Sequence, residues 1–207
     1  MKQRAFPLKS LIAAMLLAGA ASAQAQITVY TDRDAYLSAV GAYGVDDYDD
    51  LSMMYYEEAL TRNAGGFGYT VSAAAGIYPG GEGSDIWLSI NRPTDSIVFT
   101  DFSPGVTGFG GYFFASDING SYVPNGSMVF TAMDGTSLSY TLNNATTSSF
   151  LGFVTTSPLT SVTLTSNGDY WPTANDVIIA MPVPEPGAYA MMALGLGLVA
   201  WRRRRGS

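Results

Sequence analysis

The chain has 207 residues, with 10 Lys and Arg against 17 Asp and Glu, 23 Gly, and neither His nor Cys. That length suits one domain with appendages and is enough to bury a core. Without Cys there are no disulfides, thiolate nucleophiles or Cys-bound zinc, and without His there is no Ser-His-Asp triad, so carboxylate chemistry and hard-cation binding are what remains.

Charge is sharply segregated. Lys2, Arg4 and Lys9 open the chain, Arg202, Arg203, Arg204 and Arg205 stand near its end, and only Arg33, Arg62 and Arg92 lie between. Residues 1–25 read as a secretory signal peptide. A basic start precedes the apolar stretch 11–18, and two overlapping A-x-A cleavage patterns end at Ala23 and Ala25. The apolar stretch is too short to cross a bilayer comfortably, which favours a cleaved export signal for the Sec machinery over an anchor helix.

Residues 26–181 form the expected domain. They carry 16 acidic and 3 basic side chains, a net charge of −13. Nucleic acid and anionic membrane are excluded as partners, because phosphate contacts need Lys and Arg. Ile27-Thr28-Val29-Tyr30 reads as a strand. Thr31-Asp32-Arg33-Asp34 then resembles a capping box that opens a short helix, with Tyr36, Leu37 and Val40 on one face. An acidic segment follows with Asp46, Asp47, Asp49 and Asp50. From residue 67 the pattern is period two, punctuated by Gly, Asn and Pro. Strands are predicted over 67–73, 86–90, 96–102, 106–115, 127–133, 137–142, 150–155, 161–166 and 177–181, with Asp134-Gly135 as a hairpin turn. The fold class expected is all-β, an antiparallel β-sandwich of jelly-roll type with one short N-terminal helix.

The candidate chemistry of this domain is modest. Calcium suits the oxygen-rich side chains Asp46, Asp47, Asp49, Asp50, Asp117 and Asp176, though none of them sits in a twelve-residue EF-hand loop. Calcium is therefore the sole candidate cofactor. Glycoside hydrolysis needs two carboxylates facing each other across a cleft, whereas Asp46 to Asp50, Glu57 and Glu58 crowd one segment; no catalytic residue is assigned and no enzyme is expected. Tyr112, Tyr122, Tyr170 and Trp171 are candidate sugar platforms, since jelly rolls host such sites. From 136 to 166, 16 of 31 residues are Ser or Thr, which reads as outward-facing strand positions. Thr163 and Thr165 are one isolated pair without a repeat, which argues against an ice-binding array. Asn119-Gly120-Ser121, Asn125-Gly126-Ser127 and Asn144-Ala145-Thr146 fit a glycosylation pattern but read more simply as turns.

Residues 182–207 close the chain in three ordered parts. Val183-Pro184-Glu185-Pro186 comes first, with two prolines that keep the backbone extended and accessible. The apolar stretch 187–201 follows; as a helix it would span about 22 Å, short of a hydrocarbon core of roughly 30 Å. Snorkelling by Arg202 to Arg205 and local thinning make it a short transmembrane helix whose C-terminal end stays in the cytoplasm.

This tail resembles the PEP-CTERM sorting signal of Gram-negative, exopolysaccharide-producing bacteria. The resemblance implies cleavage near Pro184-Glu185-Pro186 by exosortase, a membrane transpeptidase-like protease. It also implies transient residence in the inner membrane and delivery to the cell surface or extracellular matrix of a biofilm. Similar tails also carry the label of an ice-binding protein C-terminal domain, which concerns the tail alone. The opening strand and helix, the segment 96–111, and Asn175-Asp176-Val177 are similar to the short β-rich domains of PEP-CTERM proteins. The expected function is that of an exported envelope or exopolysaccharide-matrix protein, structural or adhesive in role. A calcium-dependent carbohydrate-binding module is the alternative, and a carboxylate-based glycosidase the third reading.

Overall fold

Period-two alternation governs most of the chain. In β10 (Gly126–Met133), Gly126, Met128, Phe130 and Ala132 are buried, while Ser127, Val129, Thr131 and Met133 lie on the more open face. The computed structural model describes residues 26–183 and the helical pair 194–195. The expected signal-peptide helix, the expected transmembrane helix, and Ala23, Ala25, Pro184, Glu185, Pro186 and Arg202 to Arg205 lie outside the described residues. No helix among the described residues is long and apolar enough to cross a membrane.

The chain begins with β1 (Ile27–Tyr30), α1 (Arg33–Ala39), β2 (Val40–Asp46), β3 (Leu60–Ala64) and β4 (Phe67–Ser72). A small ribbon follows, β5 (Gly80–Glu82) with β6 (Asp85–Trp87). Then come β7 (Ser96–Thr100), β8 (Gly108–Ser116), β9 (Tyr122–Val123), β10, β11 (Ser137–Ala145), β12 (Phe150–Thr155), β13 (Ser161–Ser166) and β14 (Trp171–Pro182). One sheet has the order β1-β12-β8-β14-β2, with β9 beside β8; the other runs β11-β10-β13-β7-β4-β3. All the strand pairings are antiparallel. Between the sheets β8 packs against β10 and β11, β14 against β13 and β3, and β2 against β3, and the chain crosses between sheets as a jelly roll does. β1 extends the first sheet, and β4 with β3 extends the second.

The two inner faces enclose one core. Phe99 meets Phe109 with ring centroids 4.8 Å apart, Phe113 meets Phe130 at 4.7 Å, and Phe130 meets Phe153 at 6.1 Å. Each tilted or edge-on aromatic pair adds roughly 0.5–1.5 kcal/mol beyond its buried area. A second cluster lies apart from this core, where α1 packs against β12 through Tyr36, with Val40, Phe150, Ile178 and Ala180. Tyr36 fits because Gly152 has no side chain; a Cβ there would come within 2.5 Å of the ring.

Several expectations shift at the level of elements. The helix cap is Asp32, one residue past the expected Thr31, and its Oδ1 accepts from the Ala35 N–H at 2.8 Å. The helix ends at Ala39, so Val40 opens β2, yet Tyr36, Leu37 and Val40 still share one apolar cluster. β2 and β3 fall where no strand was expected. Their inward positions include Gly44, Asp46 and Arg62, while Tyr43 and Val45 face out, which inverts the apolar alternation. β14 starts six residues before the expected 177 and ends at Pro182, one residue past the expected domain boundary. The Asp134-Gly135 turn joins β10 to β11, with Gly135 at φ 98° and the buried Asp134 Oδ1 accepting from the Thr136 N–H and hydroxyl.

Candidate functional site

The acidic segment is not one site. β2 delivers Asp46 inward at the edge of one sheet, and β3 delivers Arg62 inward at the edge of the other. Arg62 Nε donates to Asp46 Oδ2 at 2.9 Å, and Nη2 donates to Asp46 Oδ1 at 2.5 Å. The same guanidinium holds Asp50 in a fork, with Nη1 to Oδ2 at 2.8 Å and Nη2 to Oδ1 at 2.6 Å. From β4 the Tyr69 hydroxyl donates to Asp46 Oδ2 at 2.6 Å and lies 2.8 Å from the Tyr48 hydroxyl. Tyr48 is fully buried at φ 63° and places its ring 5.3 Å from the guanidinium carbon.

Electrostatics follow from these contacts. Burial pushes the Tyr48 and Tyr69 hydroxyls well above the usual tyrosine range, with Asp46 reinforcing both shifts. Burial works against the charge of Arg62, but its bonds to Asp50 and Asp46 outweigh burial and raise its pKa. Hydrogen bonding to Arg62 holds the Asp50 carboxyl below the usual range. Both carboxylates are therefore committed to one cation, and the network ties the two sheets together.

Asp47 and Asp49 belong to a different neighbourhood. Asp49 Oδ1 accepts from the Ile86 N–H at 2.9 Å, and Asp47 Oδ1 from the Asp49 N–H at 3.3 Å. Asp176, at φ 47°, is raised first by burial and then by the fields of Asp85, Asp47 and Asp49. Asp117 stands in a third place, where its Oδ1 caps a turn by accepting from the N–H groups of Asn119 and Ser121. The six residues put forward for calcium are thus divided among three places. Among the described residues no three acidic side chains are grouped so as to hold a metal ion.

The aromatic candidates also separate. Tyr112 packs edge-on against Phe150, Tyr122 against Phe114, and Tyr170 lies against the main core. Two of them also line clefts: Tyr112 one of about 320 Å³ with Asp85, Asn175 and Asp176, and Trp171, which touches the core as well, one of about 400 Å³. The larger cleft lies under the 117–121 turn and is shared by Tyr78, Ser89, Asn91, Asp117 and Asn119. Trp171 and Asp117 stand out in the sequence; Tyr78 and Asn91 do not. These two flank the bridge of buried Ile77 with Ile90, the Tyr78 N–H donating to the Ser89 C=O at 3.0 Å and the Asn91 N–H to the Gly76 C=O at 3.1 Å. A Tyr beside the run Pro79-Gly80-Gly81 is the one signal the sequence holds for them.

The tail departs from the middle of a sheet. β14 lies between β8 and β2 and pairs as far as Pro182 with Val40. Only the exposed Val183 separates that last pair from Pro184. No curated protein matches the chain. Residues 182–205 match the family described as the PEP-CTERM protein-sorting motif. The match begins on the last residue of β14 and takes in the Pro-Glu-Pro, the apolar stretch and the arginine cluster. The chain is thus an exported protein that carries a PEP-CTERM protein-sorting motif, the signal by which exosortase sorts its substrates.

Proposed function

We propose that this jelly-roll domain works outside the cell, in the envelope or exopolysaccharide matrix, in a structural or adhesive role rather than a catalytic one. Export through the Sec machinery removes residues 1–25, and exosortase then cuts near Pro184-Glu185-Pro186, releasing the domain from the inner membrane. The observation that carries this reading is the junction itself: the last ladder pair, Pro182 with Val40, stands one residue before the Pro-Glu-Pro. Cleavage beyond Val183 therefore removes no part of the sandwich. The non-catalytic role is supported by the commitment of Asp46 and Asp50 to Arg62 and of Asp49 to the Ile86 amide, which takes these carboxylates out of acid–base work.

The test is a mass measurement. In cells that contain exosortase, the extracellular protein is expected to lack residues 187–207. Glu185→Ala, or replacement of both Pro184 and Pro186, should leave the precursor in the membrane fraction. Intact C-terminal mass in the medium would overturn the processing step.

A further inference from the structure

We infer that the cleft beneath the 117–121 turn binds a neutral glycan, with Trp171 and Tyr78 supplying faces for a sugar ring. The biological setting rests on the extracellular, non-catalytic reading above; the geometry stands on the described residues alone.

The walls are fixed in advance. Trp87 Nε1 donates to the Gly120 C=O at 3.0 Å, pinning the turn from below. β5 approaches so closely that a Cβ on Gly80 would lie 2.7 Å from the Gly120 oxygen. Asp117 Oδ1 holds the Asn119 and Ser121 amides at 2.8 and 3.0 Å. On the opposite side, backbone bonds in both directions between Leu88 and Ala174, each 2.9 Å, join the 88–90 segment to β14. Little ordering is left for a ligand to impose, which is what favourable binding by a small cleft requires. The volume of about 400 Å³ lies within the roughly 300–1,000 Å³ of clefts that hold small molecules.

The chemistry of the lining selects the class of ligand. A pyranose has C–H faces and a hydroxyl rim. Aromatic faces carry partial negative charge that attracts the C–H face, and Tyr78 is 43% exposed while Trp171 is half-buried. Asn91 and Asn119 are exposed and offer both donors and acceptors for hydroxyls. Ser89 is the deepest polar group, 2% exposed, and its hydroxyl has only long contacts, 3.3 Å to the Pro172 C=O and 3.4 Å to the hydroxyls of Ser116 and Thr173. It can turn to a ligand hydroxyl while giving up little. Among the described residues no Arg or Lys lines the cleft, and Asp117 does. With a domain charge of −13, a uronate or sulfated sugar would be repelled.

The experiment uses the purified full-length chain in a sugar-free zwitterionic detergent, so binding is scored without regard to processing. Probes are neutral hexasaccharides of β-1,3-glucan, β-1,4-glucan, mannan and galactan, against alginate and polygalacturonate hexasaccharides, by calorimetry with and without EDTA. The expected result is saturable binding of at least one neutral probe, unchanged by EDTA, and none of the uronates. Tyr78→Ala and Asn91→Ala should each weaken binding roughly tenfold without lowering the melting temperature. Trp171→Ala should abolish it, and because that residue also packs against the core, the two exposed variants decide the location. No neutral probe bound, undiminished binding by both exposed variants, or preference for uronates would each overturn the inference. Failure of sorting would show instead in the cell fractions, independently of any glycan.

Discussion

At Arg62 one guanidinium serves two carboxylates of opposite exposure, the Asp46 side chain at 3% and the Asp50 side chain at 68%. The two differ in energetic meaning. Removing the cation strands Asp46 in a site from which water is excluded, and uncompensated buried charges of this kind typically cost about 3–5 kcal/mol. Arg62→Met is expected to lose stability on that scale in denaturant unfolding; a loss near zero would mean that Tyr69 and the Tyr48 amide suffice to hold the carboxylate. Asp50 contributes less, because water screens an exposed pair. Its sign is nonetheless definite. Its folded pKa is depressed by Arg62, so its contribution is complete above the usual carboxylate range of about 4 and is lost as pH falls through the lower folded value. The melting temperature of the parent chain should therefore exceed that of Asp50→Asn near neutrality, and the gap should close as acidification carries the pH below the usual carboxylate range.

Among elements, α1 shows how a short helix is retained by packing rather than by propensity. Seven residues make too short a helix to persist alone, and Tyr36 anchors it against Gly152 of β12 and the ring of Phe150, 5.4 Å away. Gly152→Ala places a methyl group in the Tyr36 ring and should destabilise by about 1–3 kcal/mol. Tyr36→Phe should behave in the opposite way. Among the described residues the buried Tyr36 hydroxyl has no hydrogen-bond partner, and its pKa is driven up by burial. Removing it is expected to leave stability unchanged or raise it by about 1 kcal/mol; thermal melts of the two variants side by side check both signs. The same elements explain what could be read from sequence. β12 and β13 were legible to the residue, because their inward positions are apolar and their ends are marked by turns. β2 and β3 were hidden, because the core side of a strand is recognised by apolar residues and theirs holds Gly44, Asp46 and Arg62. Gly44 is required by the Ala64 backbone, whose oxygen would lie 2.0 Å from a Cβ, and the ion pair is required by the junction of the two sheets. Asp46 and Arg62 explain each other across sixteen positions of the chain. The cleft was half legible for the same reason: Trp171 and Asp117 stand out singly, whereas Tyr78 and Asn91 join them only through the fold.

At the scale of the whole molecule, delivery and fold divide cleanly. The −7 charge of the chain averages basic ends with a domain of −13, and the match to the sorting motif begins where the sandwich stops. That junction has a mechanical consequence. β14 is twelve residues long and hydrogen-bonded to β8 and β2 on its two sides. The pairings Thr28–Val154, Val154–Gly108 and Gly108–Ala180 set the start of β1 and the end of β14 in one row, so both termini of the domain leave the same end of the sheet and a load between them acts across the strands, opening their ladders one bond after another. Among the described residues the strand β1 pairs on one side only, with β12. Stretching the domain between residues 26 and 183 should accordingly unzip the sheet from that end, releasing β1 before β14 and without a high-force shear peak, as single-molecule pulling would read. A protein held by its C-terminal end would in turn present the opposite end of this sheet outward, where Trp171 pairs with Ser116 beside the cleft.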